Sequence, residues 1–234
     1  MNNVTKSIFF RRILAVFFLA VSAGAQAGLQ EGISAFEKED YAAALNEFKP
    51  LAESGNASAQ YNLGVMYERG SGVPQDDKQA FEWFRKAAEL GDAVSQYKVA
   101  YIYDRGRGVG QDFKEALAWY RKSAEQGFTD AEYKFGEMHD LGKGVAQDYK
   151  QAAEWYRKAA EKGNAYAQIN LGFLYEHGLG MPADLIQAYK WYSLSAARGN
   201  DGAEKAKKEL EARMSSKDIK KARALVKKVP AKQK

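Results

Sequence analysis

A self-similarity with a step of 36 residues runs through most of this chain and constrains its architecture before any single residue is considered. Tyr61, Tyr97 and Tyr133 are followed at the same step by Ile169, and Trp83, Trp119, Trp155 and Trp191 fall on the same ruler. A period of this length marks a stacked array in which each unit cannot bury its own apolar face and relies on its neighbours to do so.

The columns of the repeat describe two helices. One column reads Leu63, Val99, Phe135, Leu171; the next reads Gly64, Ala100, Gly136, Gly172; four positions beyond the first come Tyr67, Tyr103, His139 and Tyr175. An apolar residue followed at i+4 by an aromatic lies on one helical face, and the small residue between them lets a second helix approach. Gly70, Gly106, Gly142 and Gly178 are suited to close that helix in the left-handed conformation. A second glycine, at 72, 108, 144 and 180, opens a loop that reaches Asp76, Asp112, Asp148 or Asp184. Each aspartate is a good N-cap for a second helix, because its carboxylate accepts from first-turn amides. That helix carries Ala80, Ala116, Ala152 and Ala188 and, three residues on, the tryptophans, which are expected to be equivalent buried wedges; it stops at Gly91, Gly127, Gly163 and Gly199. Each repeat is a helical hairpin.

At these columns the chain resembles the Sel-one-like repeat (SLR) family, a branch of the tetratricopeptide-type helical solenoids. The matching stretches are AQYNLGVMYERGSGVPQDDKQAFEWFRKAAELG (59 to 91) and AQINLGFLYEHGLGMPADLIQAYKWYSLSAARG (167 to 199), with two copies between them. The resemblance implies an all-α fold, an α-α superhelix (solenoid) of stacked hairpins used for protein recognition, with no shared catalytic residue. Four such repeats are expected over residues 57–200. Upstream, Asp40, Ala44, Phe48 and Gly55 keep the second-helix columns, giving a tetratricopeptide-like hairpin with a shorter turn over 28–56. Downstream the columns dissolve into polar capping helices over 201–229, where Ser215 or Ser216 can cap a last helix with Ile219, Ala222, Leu225 and Val226 as its apolar stripe. A basic tail, 230–234, ends the chain.

Residues 1–27 belong to none of this. Lys6, Arg11 and Arg12 precede the apolar run from Ile13 to Ala20, and the tripeptide Ala25-Gln26-Ala27 is an A-x-A cleavage pattern, so a secretory signal peptide is expected. The run is shorter than the roughly 20 residues of a spanning helix, so no transmembrane span remains after cleavage. The chain contains no cysteine, which sets it apart from the disulfide-stapled members of the family. Its charge is uneven: residues 203–234 hold 12 Lys or Arg against four acidic residues, whereas residues 28–202 hold 20 against 26. The basic end is read as a solvated cap capable of weak contact with anionic envelope components, and nucleic acid is not an expected partner of an exported chain.

No reactive constellation stands out, and no cofactor or metal site is expected. His139 occupies a tyrosine column and is read as a packed aromatic substitute; His177 is read as a surface residue at a helix end. Ser95-Gln96-Tyr97-Lys98 matches the S-x-x-K pattern of serine β-lactamases, but Ser95 sits in a column otherwise filled by Ala59, Ala131 and Ala167, and no K-T-G accompanies it.

What remains is a surface. By analogy with tetratricopeptide arrays, the first helices line the concave side, where Tyr61, Val65, Tyr97, Tyr101, Tyr133, Glu137, Ile169 and Phe173 are the candidate partner-binding residues. Tyr166 and the helix-end acids Glu68, Asp104, Asp140 and Glu176 would border them. Aromatics among acidic groups suit an extended peptide. The expected function is an exported, non-enzymatic protein-protein interaction module, a scaffold or regulator of the bacterial cell envelope located in the periplasm, which binds a protein or peptide. The alternatives are a cell-wall or β-lactam hydrolase of the kind proposed for cysteine-rich relatives, and a secreted host-interaction factor.

Overall fold

The computed structural model describes residues 24–229, which are helical apart from short turns. The expected signal peptide lies outside the described residues except for residues 24–27, which open the first helix, and the tail 230–234 lies outside them entirely. The helices are α1 (24–37), α2 (Tyr41–Glu53), α3 (Ala57–Arg69), α4 (Asp77–Glu89), α5 (Ala93–Arg105), α6 (Phe113–Glu125), α7 (Thr129–Leu141), α8 (Tyr149–Glu161), α9 (Ala165–His177), α10 (Leu185–Ala196), α11 (Asp201–Glu211) and α12 (Ser216–Lys228). They fall into two compact units: residues up to 95 with Arg107–Val109, and Gln96–Gly106 with the chain from Gly110 onward.

The punctuation that divides the helices is chemical. Asp76, Asp112, Asp148 and Asp184 each accept from two backbone N–H groups of the helix that follows, satisfying donors that would otherwise lack partners. The second loop glycine has a steric role. A Cβ on Gly72 (φ 74°) would lie 2.8 Å from the Tyr41 Cβ, and one on Gly108 (φ 78°) would lie 2.7 Å from the Asp77 carbonyl, so each loop rests against the start of the preceding hairpin's second helix. Any side chain there would force the hairpins apart.

Within a hairpin, the wedge is the residue after the tryptophan. Phe84, Tyr120 and Tyr156 are wholly buried and Tyr192 is nearly so. Phe84 lies against Gly64 in the first unit; in the second, Tyr156 lies against Gly136 and Tyr192 against Gly172, with room for a Cβ only 2.7–2.9 Å from the ring carbons. The same arrangement opens the chain, where Phe48 fills the space over Gly32. The tryptophans, expected to be equivalent wedges, are instead flank covers. Trp119 and Trp191 are buried but Trp83 and Trp155 only partly so. Each carries a lysine ammonium over its ring, from Lys86, Lys122, Lys158 and Lys190, at 3.5–4.0 Å. Successive residues on a helix point about 100° apart, so the column that faces the partner helix's glycine cannot also face the groove at its side.

The second unit closes on α11 and α12. Leu210 and Ala222 are fully buried against Ala188, Tyr189 and Tyr192, Ser215 caps α12, and the Tyr189 hydroxyl donates to Glu211 at 2.6 Å while Arg223 bonds both. Val226 and Val229 reach further, onto the cluster containing Trp191 and Leu194.

Because the wedge is wholly enclosed and the tryptophan is partly wet, Tyr156→Ala should cost about 3–5 kcal/mol, and Trp155→Ala distinctly less. Urea-melt midpoints of the two variants check the order; equal losses would mean that both rings serve as wedges.

Candidate binding surface

The first helices of the second unit's hairpins bring one group of predicted residues together. Tyr97 on α5, Tyr133 on α7 and Tyr166 on α9 line an open depression of about 400 Å³ together with Asp130, Lys134 and Asn164. The Tyr133 and Tyr166 ring centroids are 6.0 Å apart. Tyr133 donates to Glu137 at 2.7 Å, and the same carboxylate takes the Lys134 ammonium at 2.6 Å, so Glu137 and Lys134 neutralise each other beside the ring. The Asn164 amide donates to Asp130 at 3.3 Å.

Other predicted positions divide by burial. Tyr166 and Phe173, seven residues apart on α9, are 65% and 48% exposed, and Phe173 lies 4.2 Å from the His177 ring. Tyr101 is half-buried and stacks on Tyr97 at 6.5 Å. Ile169 packs against the cluster of Ala188, Tyr189 and Tyr192, serving the core. In the first unit Val65 is 8% exposed and Tyr61 is half-buried, its ring 5.5 Å from Phe84. Two of the acidic residues expected at the border are tied inward: the wedge hydroxyls of Tyr156 and Tyr192 donate to Asp140 and Glu176 at 2.9 and 2.8 Å. Burial is the first cause that raises the Asp140 carboxyl above its ordinary range, partly offset by that hydrogen bond.

Two contributors escaped the sequence reading. Phe128 holds the N-cap position of α7 with no side-chain hydrogen bond, whereas Asn56, Asn164 and Asn200 cap their helices at the same step. It packs edge-on against Tyr97 at 5.3 Å. Loss of a cap costs about 1 kcal/mol, and the ring it is exchanged for buttresses Tyr97. Asn170 acts on the hydroxyls of both Tyr133 and Tyr156, lowering their pKa against the larger rise that burial causes. The Phe128 signal was available as a break in a polar column; that of Asn170 was not, since Asn62, Lys98 and Lys134 make its column polar throughout.

The Tyr97 hydroxyl is pushed up to about 12, first by burial and then by the charges of Asp130, Glu137 and Asp104, with Tyr101. Of those charges, Asp130 lines the depression itself, beside the aromatic rings. Elsewhere, Ser95 is wholly buried and beyond the reach of a substrate, and its backbone N–H bonds to Asp92. His139 packs edge-on to Phe135 at 4.8 Å, and burial lowers its pKa, as befits an aromatic substitute. No group of three or more His, Cys, Asp or Glu that could hold a metal ion occurs among the described residues, and none of their helices is long and apolar enough to cross a membrane.

Stacked hairpins and an aromatic face define a helical-repeat scaffold. The Sel1 repeat family matches residues 57–92, 93–128, 129–164 and 165–200, so the chain belongs to that family, whose members are generally protein-interaction modules. Among solved structures it is similar to a Sel1 repeat protein from Oxalobacter formigenes, at 35% identity over 74% of this chain and 71% of that one, with a TM-score of 0.70. It is also similar to c5321, a protective antigen of uropathogenic Escherichia coli strains with an SLR fold, at 29% identity and a TM-score of 0.57; that match covers 92% of this chain and 56% of the other. No curated protein matches the sequence. The fold is thus all-α, of the solenoid class.

A raised pKa gives a signed expectation. Stability linked to neutral Tyr97 is complete below its ordinary pKa of 10.0 and is lost as pH rises through about 12. Tyrosinate absorbance of the native protein should show a group ionising near pH 12 that disappears in Tyr97→Phe; an unchanged titration would place Tyr97 in solvent.

Proposed function

We propose that the chain is an exported, non-enzymatic interaction module of the bacterial cell envelope, held in the periplasm after loss of residues 1–27, and that it binds an extended protein segment on the first-helix face of its second unit. One observation carries the reading: Tyr166, the most exposed large hydrophobic side chain among the described residues, stands at a step where the other repeats have Ser58, Val94 and Asp130, beside the half-buried Tyr97 and Tyr133. An aromatic ring left in water gains little for folding, and tyrosine is among the residues that anchor interfaces. Family membership supports a protein as the partner. The Ala25-Gln26-Ala27 pattern supports export.

The test is site-resolved. A photo-crosslinking residue at position 166 should capture a discrete envelope protein in living cells, whereas the same residue at Glu154, on the exposed side of α8, should not. Tyr166→Ala and Phe173→Ala should each weaken binding of the captured protein by more than about 1 kcal/mol with an unchanged thermal midpoint. Loss of stability with binding retained would assign these rings to the fold. N-terminal sequencing of the purified protein should begin at Gly28; an intact Met1 terminus would contradict cleavage.

A further inference from the structure

We infer that the depression framed by Tyr97, Tyr133 and Tyr166 accepts a cationic side chain, lysine or arginine, carried on an extended segment of the partner protein. This rests on the binding surface proposed above and adds the chemistry of its occupant. Two of the three rings lie 6.0 Å apart, and all three share one open cavity of about 400 Å³, large enough for an alkyl-ammonium or guanidinium group. A cation within about 6 Å of a tyrosine ring is attracted by the negative face of the ring.

Charge within the cavity has the matching sign. Of the two ionised residues in its lining, Lys134 is already neutralised by Glu137 at 2.6 Å and stands 5.3 Å from the Tyr133 ring centroid, so Tyr166, the most exposed of the three rings, is the one most open to an incoming cation. Asp130 accepts only a weak 3.3 Å bond from the Asn164 amide, leaving its carboxylate available to a cation. With Glu137 paired to Lys134, Asp130 and Asp104 act on the Tyr97 hydroxyl in the direction of a negative local potential. A carboxylate-bearing or neutral apolar side chain would meet the same rings without this complement. Phe128, packed on Tyr97 at the cost of a helix cap, fixes one wall of the cavity so that the ring does not have to be ordered upon binding.

Fluorescence anisotropy with a set of extended eight-residue peptides that differ only at one central position, as Lys, Arg, norleucine or Glu, tests the assignment on the purified chain. Lys and Arg peptides should bind at least about fivefold tighter than norleucine, as expected of a partly desolvated cation over aromatic rings beside a carboxylate, and the Glu peptide should bind most weakly. Asp130→Asn and Tyr166→Ala change exposed side chains, and each should reduce the preference for Lys over norleucine to less than about twofold. Norleucine and Lys peptides that bind equally, both weakened by Tyr166→Ala, would overturn the cationic assignment while leaving the binding surface in place. No binding by any peptide, or binding indifferent to Tyr166→Ala, would overturn both. Concentration-dependent dimerisation abolished by Asp130→Asn would give the site to a basic segment of a second copy, and so would also contradict a foreign partner.

Discussion

The hairpins that carry Gly32, Gly64, Gly136 and Gly172 depend on one steric relationship, a large aromatic ring on the second helix filling the space over the glycine of the first. Gly64 receives Phe84, Gly136 receives Tyr156 and Gly172 receives Tyr192; Tyr120, at the corresponding position of α6, is wholly buried. Close approach of the helices leaves the flanking alanines, Ala80, Ala116, Ala152 and Ala188, buried between them. This key sets the distance between helices within a hairpin, and the loop glycine that touches the preceding hairpin sets the distance to its neighbour.

Packing and recognition share the same rings. Tyr120 and Tyr156 are buried wedges, yet Tyr97 and Tyr133, which lean on them at 5.6 and 5.8 Å, also line the exposed depression. The wedge hydroxyls explain the carboxylates at the ends of the first helices: Asp140 and Glu176 satisfy buried phenols, and Glu176 is held from its other side by Arg213. Core and surface are thus coupled through one layer of tyrosines. A partner seated on Tyr97 or Tyr133 rests on side chains whose positions are already fixed by the fold, and little ordering is left for binding to supply.

Much of the fold was legible in the sequence because its punctuation is carried by residue types with one physical reason for being there. Glycine at helix ends and aspartate at helix starts located eight helices of the repeat region, and the helices start directly after Asp112 and Asp148 and end directly before Gly142 and Gly178. The assignment of the wedge to Trp155 instead of Tyr156 had a different origin. Both columns are aromatic throughout the repeats, and periodicity cannot say which of two neighbours points at the small residue of the other helix. The site was legible only in part. Tyr166 breaks its column and Phe128 breaks a capping column, whereas Ile169 and Val65 occupy columns shared with contact residues and were drawn into the core by neighbours that no repeat alignment displays, such as Tyr189 for Ile169.

A double-mutant cycle on Gly172 and Tyr192 tests the steric key most directly. Gly172→Val alone forces a side chain into the ring, Tyr192→Ala alone leaves a cavity, and the two together exchange one bulk for the other. Urea denaturation of the four proteins should give a combined loss smaller than the sum of the single losses, with a coupling of about 1–3 kcal/mol. Losses that add to within about 0.5 kcal/mol would mean that Gly172 and Tyr192 act independently, and the account of the hairpin built on their contact would be wrong.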